Sequence, residues 1–273
     1  MAERSVFLIK NCYPFYEEVI VPFPWFGGFA LAQKQRNALS LKMNLEAACP
    51  QYNVCEISSG SLDPVGRSLS AMSLSKRMSD GTVVVMESAF QSSRIYCVPQ
   101  TGEVIGPFPE LLGLDGRACK KTVKEASCGL HSCEYMFDGM SFPTPDFHPS
   151  LFYDYLYINA LMEPENAEVA ENLRRSGYNA FSDLATKSLN TQARSCAIYL
   201  SLCENGLLEQ AADYDSFMKL FRVDLTAPNY AATGAYEDVP MSDAQSGCRR
   251  RVSARFSECE VKQRYDELRR VLV

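Results

Sequence analysis

Phe152-Tyr-Asp-Tyr-Leu-Tyr-Ile-Asn-Ala-Leu161 reads as the core of a helix spanning residues 151–161. Residues 141–149 hold three prolines and form a turn before it, and Pro164 closes it. Two further helices follow, over 165–175 and 191–203, punctuated by Gly177 and Gly206. Tyr153 and Tyr157 stand at i, i+4 and share one face of the first helix.

Toward the N-terminus the pattern is mixed. Residues 6–9 and 19–23 read as short strands, with Pro14, Pro22 and Pro24 holding them to edges or ends. Trp25-Phe-Gly-Gly28 is a turn, and a helix over 30–49 follows. Its expected buried positions include Leu31, Leu39, Leu45 and Ala48, and Pro50 ends it. Residues 54–58 read as a strand, 59–67 as a polar loop with Gly60, Pro64 and Gly66, and 68–74 as a compact, semi-apolar segment. A helix over 87–95 would place Glu87, Gln91 and Arg94 on one face at i, i+4 and i+7. Residues 102–114 are loop-like, and 117–127 form a basic helix with Lys120, Lys121 and Lys124.

The expected fold class is α+β, predominantly helical with a few short strands. A first domain is expected over residues 1–223. Residues 224–251, rich in Ala, Gly, Pro, Ser and Asp, are expected to be a flexible linker ending in Arg249-Arg-Arg251. Residues 252–273 form an amphipathic helix, with Phe256, Tyr265, Leu268 and Leu272 at helical spacing, that docks on the body or on a partner.

The chain has 273 residues, enough to bury a sizeable core without disulfides or metals. A net charge of −6 argues against a general nucleic-acid binder and leaves room for a local basic patch. No stretch approaches the ~18 apolar residues of a membrane span. The first residues lack a signal peptide's long apolar region, so an intracellular, cytoplasmic location is expected, or a nuclear one in a eukaryote. The 11 cysteines include no CxxC pair, and the chain has only two histidines. Cys128-Gly-Leu-His-Ser-Cys133 is therefore read as reduced cysteines and no metal site is expected.

Seven segments, in order, carry a resemblance. They are Phe23-Pro-Trp-Phe-Gly-Gly-Phe-Ala30 with Gln33-Lys34; Glu56-Ile-Ser-Ser59; Leu69-Ser-Ala-Met-Ser-Leu74; Glu87-Ser-Ala-Phe-Gln91; Phe152 to Leu161; Ala180-Phe-Ser-Asp183; and Asn190-Thr-Gln-Ala-Arg-Ser195. Together they resemble the NADAR family, with its YbiA-like fold, and in particular the branch encoded beside guanine-specific DNA ADP-ribosyltransferase toxins. That resemblance implies an N-glycosidase that removes ADP-ribose from guanine in DNA or a nucleotide. It needs no cofactor, and its partners would be ADP-ribose, the modified guanine and a cognate ADP-ribosyltransferase toxin.

Cleaving a ribosyl–nitrogen bond builds positive charge at the anomeric carbon. A fixed carboxylate stabilises that charge, and a second one can activate water. The resemblance places Glu87 in the first role or on the ribose hydroxyls, and Asp183 in the second. A helix-start acid or a capping residue is the plain alternative for each. Arg94 stands where relatives tend to carry lysine. A lysine could attack an opened ribose; an arginine stays protonated and instead suits a pyrophosphate. Lys34, Lys120 and Lys187 are the other candidate amines, by residue type. Relatives also have a slightly longer loop between Asp183 and Asn190, with a further glutamate. Ser70, Gln91, Tyr153, Tyr157 and Asn159 are candidate ligand-binding residues, the tyrosines either stacking on a base or packing in the core. The rival readings are a catalytically weakened module that binds ADP-ribose or modified guanine, and an antitoxin that acts by binding protein.

Overall fold

The computed structural model describes residues 1–145, 148–184, 191–226, 250–253 and 255–272. The architecture is α+β. Two compact units are present. Unit 1 comprises Met1–Leu69, Asn172–Gly206 and the described part of Val239–Val273; unit 2 comprises Ser70–Glu171 and the described part of Leu207–Asp238.

Unit 1 is built on a five-stranded sheet. β1 (Ala2–Ile9) is antiparallel to β2 (Tyr16–Phe23), pairing Val6 with Val19. On its other side β1 pairs antiparallel with β10 (Ala180–Ser182), which runs parallel to β3 (Val54–Glu56). Alternation sends Val6, Leu8, Val19, Val21 and Phe23 to one face, where Leu41 and Leu45 of α1 (Leu31–Ala48) meet them. α7 (Gln192–Glu204), buried along nearly its whole length, packs against β1 and β10. Leu31, expected in the core, is instead exposed: it opens α1, ahead of the turn where the helix meets the sheet.

The polar residues of α1 do structural work that an apolar pattern hides. Ser40 and Asn44 are buried; Ser40 donates to the Pro24 carbonyl, and Asn44 Oδ1 accepts from the backbone N–H groups of Arg255 and Phe256. The described tail therefore packs on unit 1. β11 (Arg250–Arg251) adds to β2 in parallel, and α9 (Glu258–Leu272) buries Val261 and Tyr265, whose hydroxyl donates to Gln35. Residues 227–249 of the expected linker lie outside the described residues. The expected loop at 59–67 contains a short helix, α2 (Pro64–Ser68), which Asp63 caps through the N–H groups of Val65 and Gly66.

Unit 2 has a hairpin of β4 (Ser75–Arg77) and β5 (Val83–Val85), then α3 (Met86–Ser92). A four-stranded sheet follows, in the order β7 (Val104–Ile105), β6 (Arg94–Cys97), β8 (Ser132–Phe137), β9 (Met140–Ser141). α4 (Gly116–Ala126) lies between β7 and β8 in sequence and packs against α3. α5 (Leu151–Met162) holds the stretch quoted first, and α8 (Tyr214–Leu220) completes the unit. α6 (Ala167–Arg175) belongs in part to each unit. α5 is apolar almost all round because rings meet it on several sides. Phe152 stacks on Tyr135 at 4.6 Å between centroids, and Phe142 lies 4.9 Å away.

The expected helix over 87–95 is corrected: α3 stops at Ser92, and Arg94 opens strand β6. Ser92 and Ser93 turn their hydroxyls back onto the carbonyls of Ala89 and Phe90, which closes the helix. Ile95 and Tyr96 then favour the pleated, half-buried setting of a strand. Among the described residues, no helix is long and apolar enough to cross a membrane.

Candidate active site

The three valines of β5 lead directly into α3, and the 70–74 turn receives the start of that helix. The Ala71 carbonyl accepts from Glu87 N–H, and the Leu74 carbonyl accepts from Met86 N–H. Ser70 is 2% exposed and shapes this turn: its carbonyl accepts from Ser73 and Leu74.

Glu87 is 5% exposed. Its Oε1 accepts from Gln91 Nε2 at 3.0 Å and lies 3.4 Å from Lys120 Nζ on α4. Gln91 Oε1 in turn accepts from Arg94 Nη1 at 3.3 Å. The Arg94 guanidinium also lies 5.1 Å from the Tyr96 ring and 5.9 Å from the Phe90 ring. A ladder thus runs Lys120–Glu87–Gln91–Arg94. A buried carboxylate costs several kcal/mol in desolvation unless charges and donors face it, and Lys120 and Gln91 supply both. Both contacts fall on Oε1; among the described residues, Oε2 has no hydrogen-bond partner.

Gly116 sets how closely α4 approaches. A Cβ there would meet Met72 Sδ at 2.7 Å, Glu87 Cβ at 2.8 Å and Glu87 Cγ at 3.0 Å. Asp115 caps α4 by accepting from Arg117 and Ala118 N–H, so the helix begins at the glycine. Cys119 and Val123 face inward. That turns Lys120 toward Glu87 and leaves Lys121 outside, in a loose pair with Glu125.

The structure brings together Glu87, Gln91 and Arg94. Tyr153 reaches this group through Phe90, edge-on at 4.8 Å, and Tyr157 is wholly buried behind it, 6.2 Å from Tyr153. Asn159 gives its amide to the carbonyls of Tyr155 and Ala211. Lys34 is exposed on α1, and Lys187 lies outside the described residues, as does most of the loop between Asp183 and Asn190. Among the described residues, no cluster of His, Cys, Asp or Glu has the grouping of a metal site, Cys128, His131 and Cys133 included.

Asp183 lies in unit 1, where a second acid joins it. Parallel register pairs Ser182 with Glu56, so Glu56 and Asp183 stand at the carboxyl ends of adjacent strands. Glu56 accepts from the Ser182 hydroxyl at 2.6 Å and from Leu184 N–H at 3.3 Å. Burial, then the neighbouring Asp183 charge, push the Glu56 carboxyl up to about 8. Sequence reasoning gave Glu56 no role: it stood in a matched segment, but its acidic neighbour comes only from the pairing of β3 with β10.

This pair predicts a pH effect. The folded-state pKa of Glu56 is raised from its ordinary 4.5, so its contribution to stability is full below that value. It is lost as pH rises toward about 8, because the unfolded chain ionises first. The melting temperature of the native chain should therefore decline between about pH 5 and pH 8 more than that of Glu56→Gln, and the two curves should run parallel above that range. Parallel curves within the range would show that the proton is not held there.

The sequence pattern of the DarT1-associated NADAR antitoxin family matches residues 2–230. No curated protein matches the chain.

Proposed function

The chain belongs to the DarT1-associated NADAR antitoxin family, and from that membership we propose that it is an ADP-ribosyl glycohydrolase acting on ADP-ribosylated guanine. The observation that carries the reading is the Glu87 carboxylate, buried, held through one oxygen by Gln91 and Lys120, with its other oxygen unengaged among the described residues. Bond cleavage between ribose and the guanine nitrogen puts positive charge on the sugar, and a pre-placed carboxylate lowers the energy of that state. Gln91 and Lys120 hold the carboxylate still, so no reorganisation is needed as the charge grows. Arg94, stacked on two rings and tied to Gln91, serves as a planar donor to the pyrophosphate. Water attacks the anomeric carbon, guanine leaves with a proton, and ADP-ribose is released. The biological counterpart is a cognate ADP-ribosyltransferase toxin, whose modification this reaction reverses.

The test is incubation of the full chain with guanine-ADP-ribosylated DNA and with the corresponding nucleotide. Free ADP-ribose is the expected product; adducts left intact by excess protein would contradict the reading.

Arg94 favours a second reading, because a guanidinium cannot form a Schiff base. A reader of ADP-ribose would bind it tightly in calorimetry and release nothing from the modified base.

A further inference from the structure

Unit 1 carries an aromatic loop that the proposed chemistry does not use. Between β2 and α1 the chain runs Pro24-Trp-Phe-Gly-Gly-Phe-Ala30. Its base is fixed. Asn37 accepts from Phe26 N–H at 2.7 Å and donates to the Phe26 carbonyl at 3.0 Å, while Ser40 holds Pro24. Its tip is bare: Phe29 is 95% exposed, Leu31 55% and Trp25 38%. Gly28, at φ +116°, takes the left-handed backbone that presents this tip. Three large apolar side chains exposed within seven residues, on a pinned loop, mark a contact surface.

The surroundings of the loop are cationic, in a chain whose net charge is −6. The Arg4 guanidinium lies 5.2 Å from the Trp25 ring, and Lys262 Nζ lies 5.8 Å from the Phe26 ring. Lys34 is exposed in the first turn of α1, which contains no acidic residue. Arg36 lies over Tyr265. Asp266 faces Arg36, and Glu3 faces Arg251. Rings accept any base by stacking, and interleaved cations follow a phosphate backbone.

We infer that the Trp25–Leu31 loop and its flanking cations are a contact surface for a nucleic-acid strand, with Phe29 stacking on an unpaired base. The binding itself needs no catalytic step.

The test is fluorescence anisotropy of the full chain with a labelled, unmodified single-stranded DNA oligonucleotide. Phe29→Ala should weaken binding roughly tenfold, the scale of one lost base–aromatic stack. Phe29→Trp should retain it. Replacing Lys34 and Lys262 together by alanine should flatten the salt dependence, as expected when phosphate contacts are lost. Phe29 is exposed, so an unchanged melting temperature should accompany the loss. Absence of binding by the native chain, or equal binding by Phe29→Ala, overturns the inference. So does a Phe29→Ala variant that keeps DNA affinity and loses affinity for the toxin protein. Strand binding without ADP-ribose release supports the surface and removes the proposed function; release from a free nucleotide without strand binding does the reverse.

Discussion

Glu87→Gln is expected to lower the rate of ADP-ribose release by about 100- to 1000-fold, the scale for losing one group that stabilises developing charge. The change is nearly isosteric. Glutamine at this position still bonds Gln91, and Lys120, whose side chain is 57% exposed, is solvated without its partner. Stability should therefore move by no more than about 1 kcal/mol, the scale of an exposed ion pair. The loss should fall on the maximal rate under single-turnover conditions, with ADP-ribose affinity little changed. Full activity in this variant would remove Glu87 from the reaction.

Gly116→Ala should damage both stability and activity. Alanine is the better helix former by roughly 0.5–1 kcal/mol in a helix interior and by less at the first position, where Gly116 stands, so this term stabilises α4 only weakly. Against this stands the new Cβ, set 2.8 Å from Glu87 Cβ and 2.7 Å from Met72 Sδ. The methionine end can swing aside, but Glu87 Cβ is fixed to the α3 backbone, so the helices must separate. Overpacking of this kind costs about 1–3 kcal/mol, so the steric term wins. A displacement of the carboxylate by a fraction of an ångström also lowers the rate, by as much as about 100-fold for a full ångström. Gly113→Ala is the control, because a Cβ there meets nothing within 4 Å. Thermal melting and single-turnover assays of the two variants check this. Equal behaviour would mean that α3 and α4 are not in tight contact.

How much of this was legible beforehand depended on where the physical signal resides. α5 could be read because prolines bracket an apolar run, and its core role follows from having almost no polar face. β1 and β2 showed through their valines. By contrast, β7 and β9 are two residues long, too short for any alternation to register. α2 had a usable signal, Asp63 followed by Pro64, that was outweighed by the polarity of its neighbours. The boundary between α3 and β6 is set by two serine side chains bonding backward, a local competition that periodicity does not report.

The site was legible in part for the same reasons. Glu87 and Gln91 lie one helical turn apart, and their hydrogen bond follows from spacing alone. Arg94 reaches Gln91 from a strand, so the contact expected of a helix face arises by a different route. Lys120 was a candidate only by residue type, and its place depends on how α4 packs on α3. The pairing of Glu56 with Asp183 depends on long-range strand register, which a single sequence does not encode in any local pattern.

The central claim is that the reacting sugar meets Glu87 in unit 2. The most direct test is a crystal structure of Glu87→Gln bound to ADP-ribosylated guanosine. The anomeric carbon should lie in contact with the side chain at position 87, and the pyrophosphate on Arg94. A ligand seated on Glu56 and Asp183, with position 87 untouched, would contradict it.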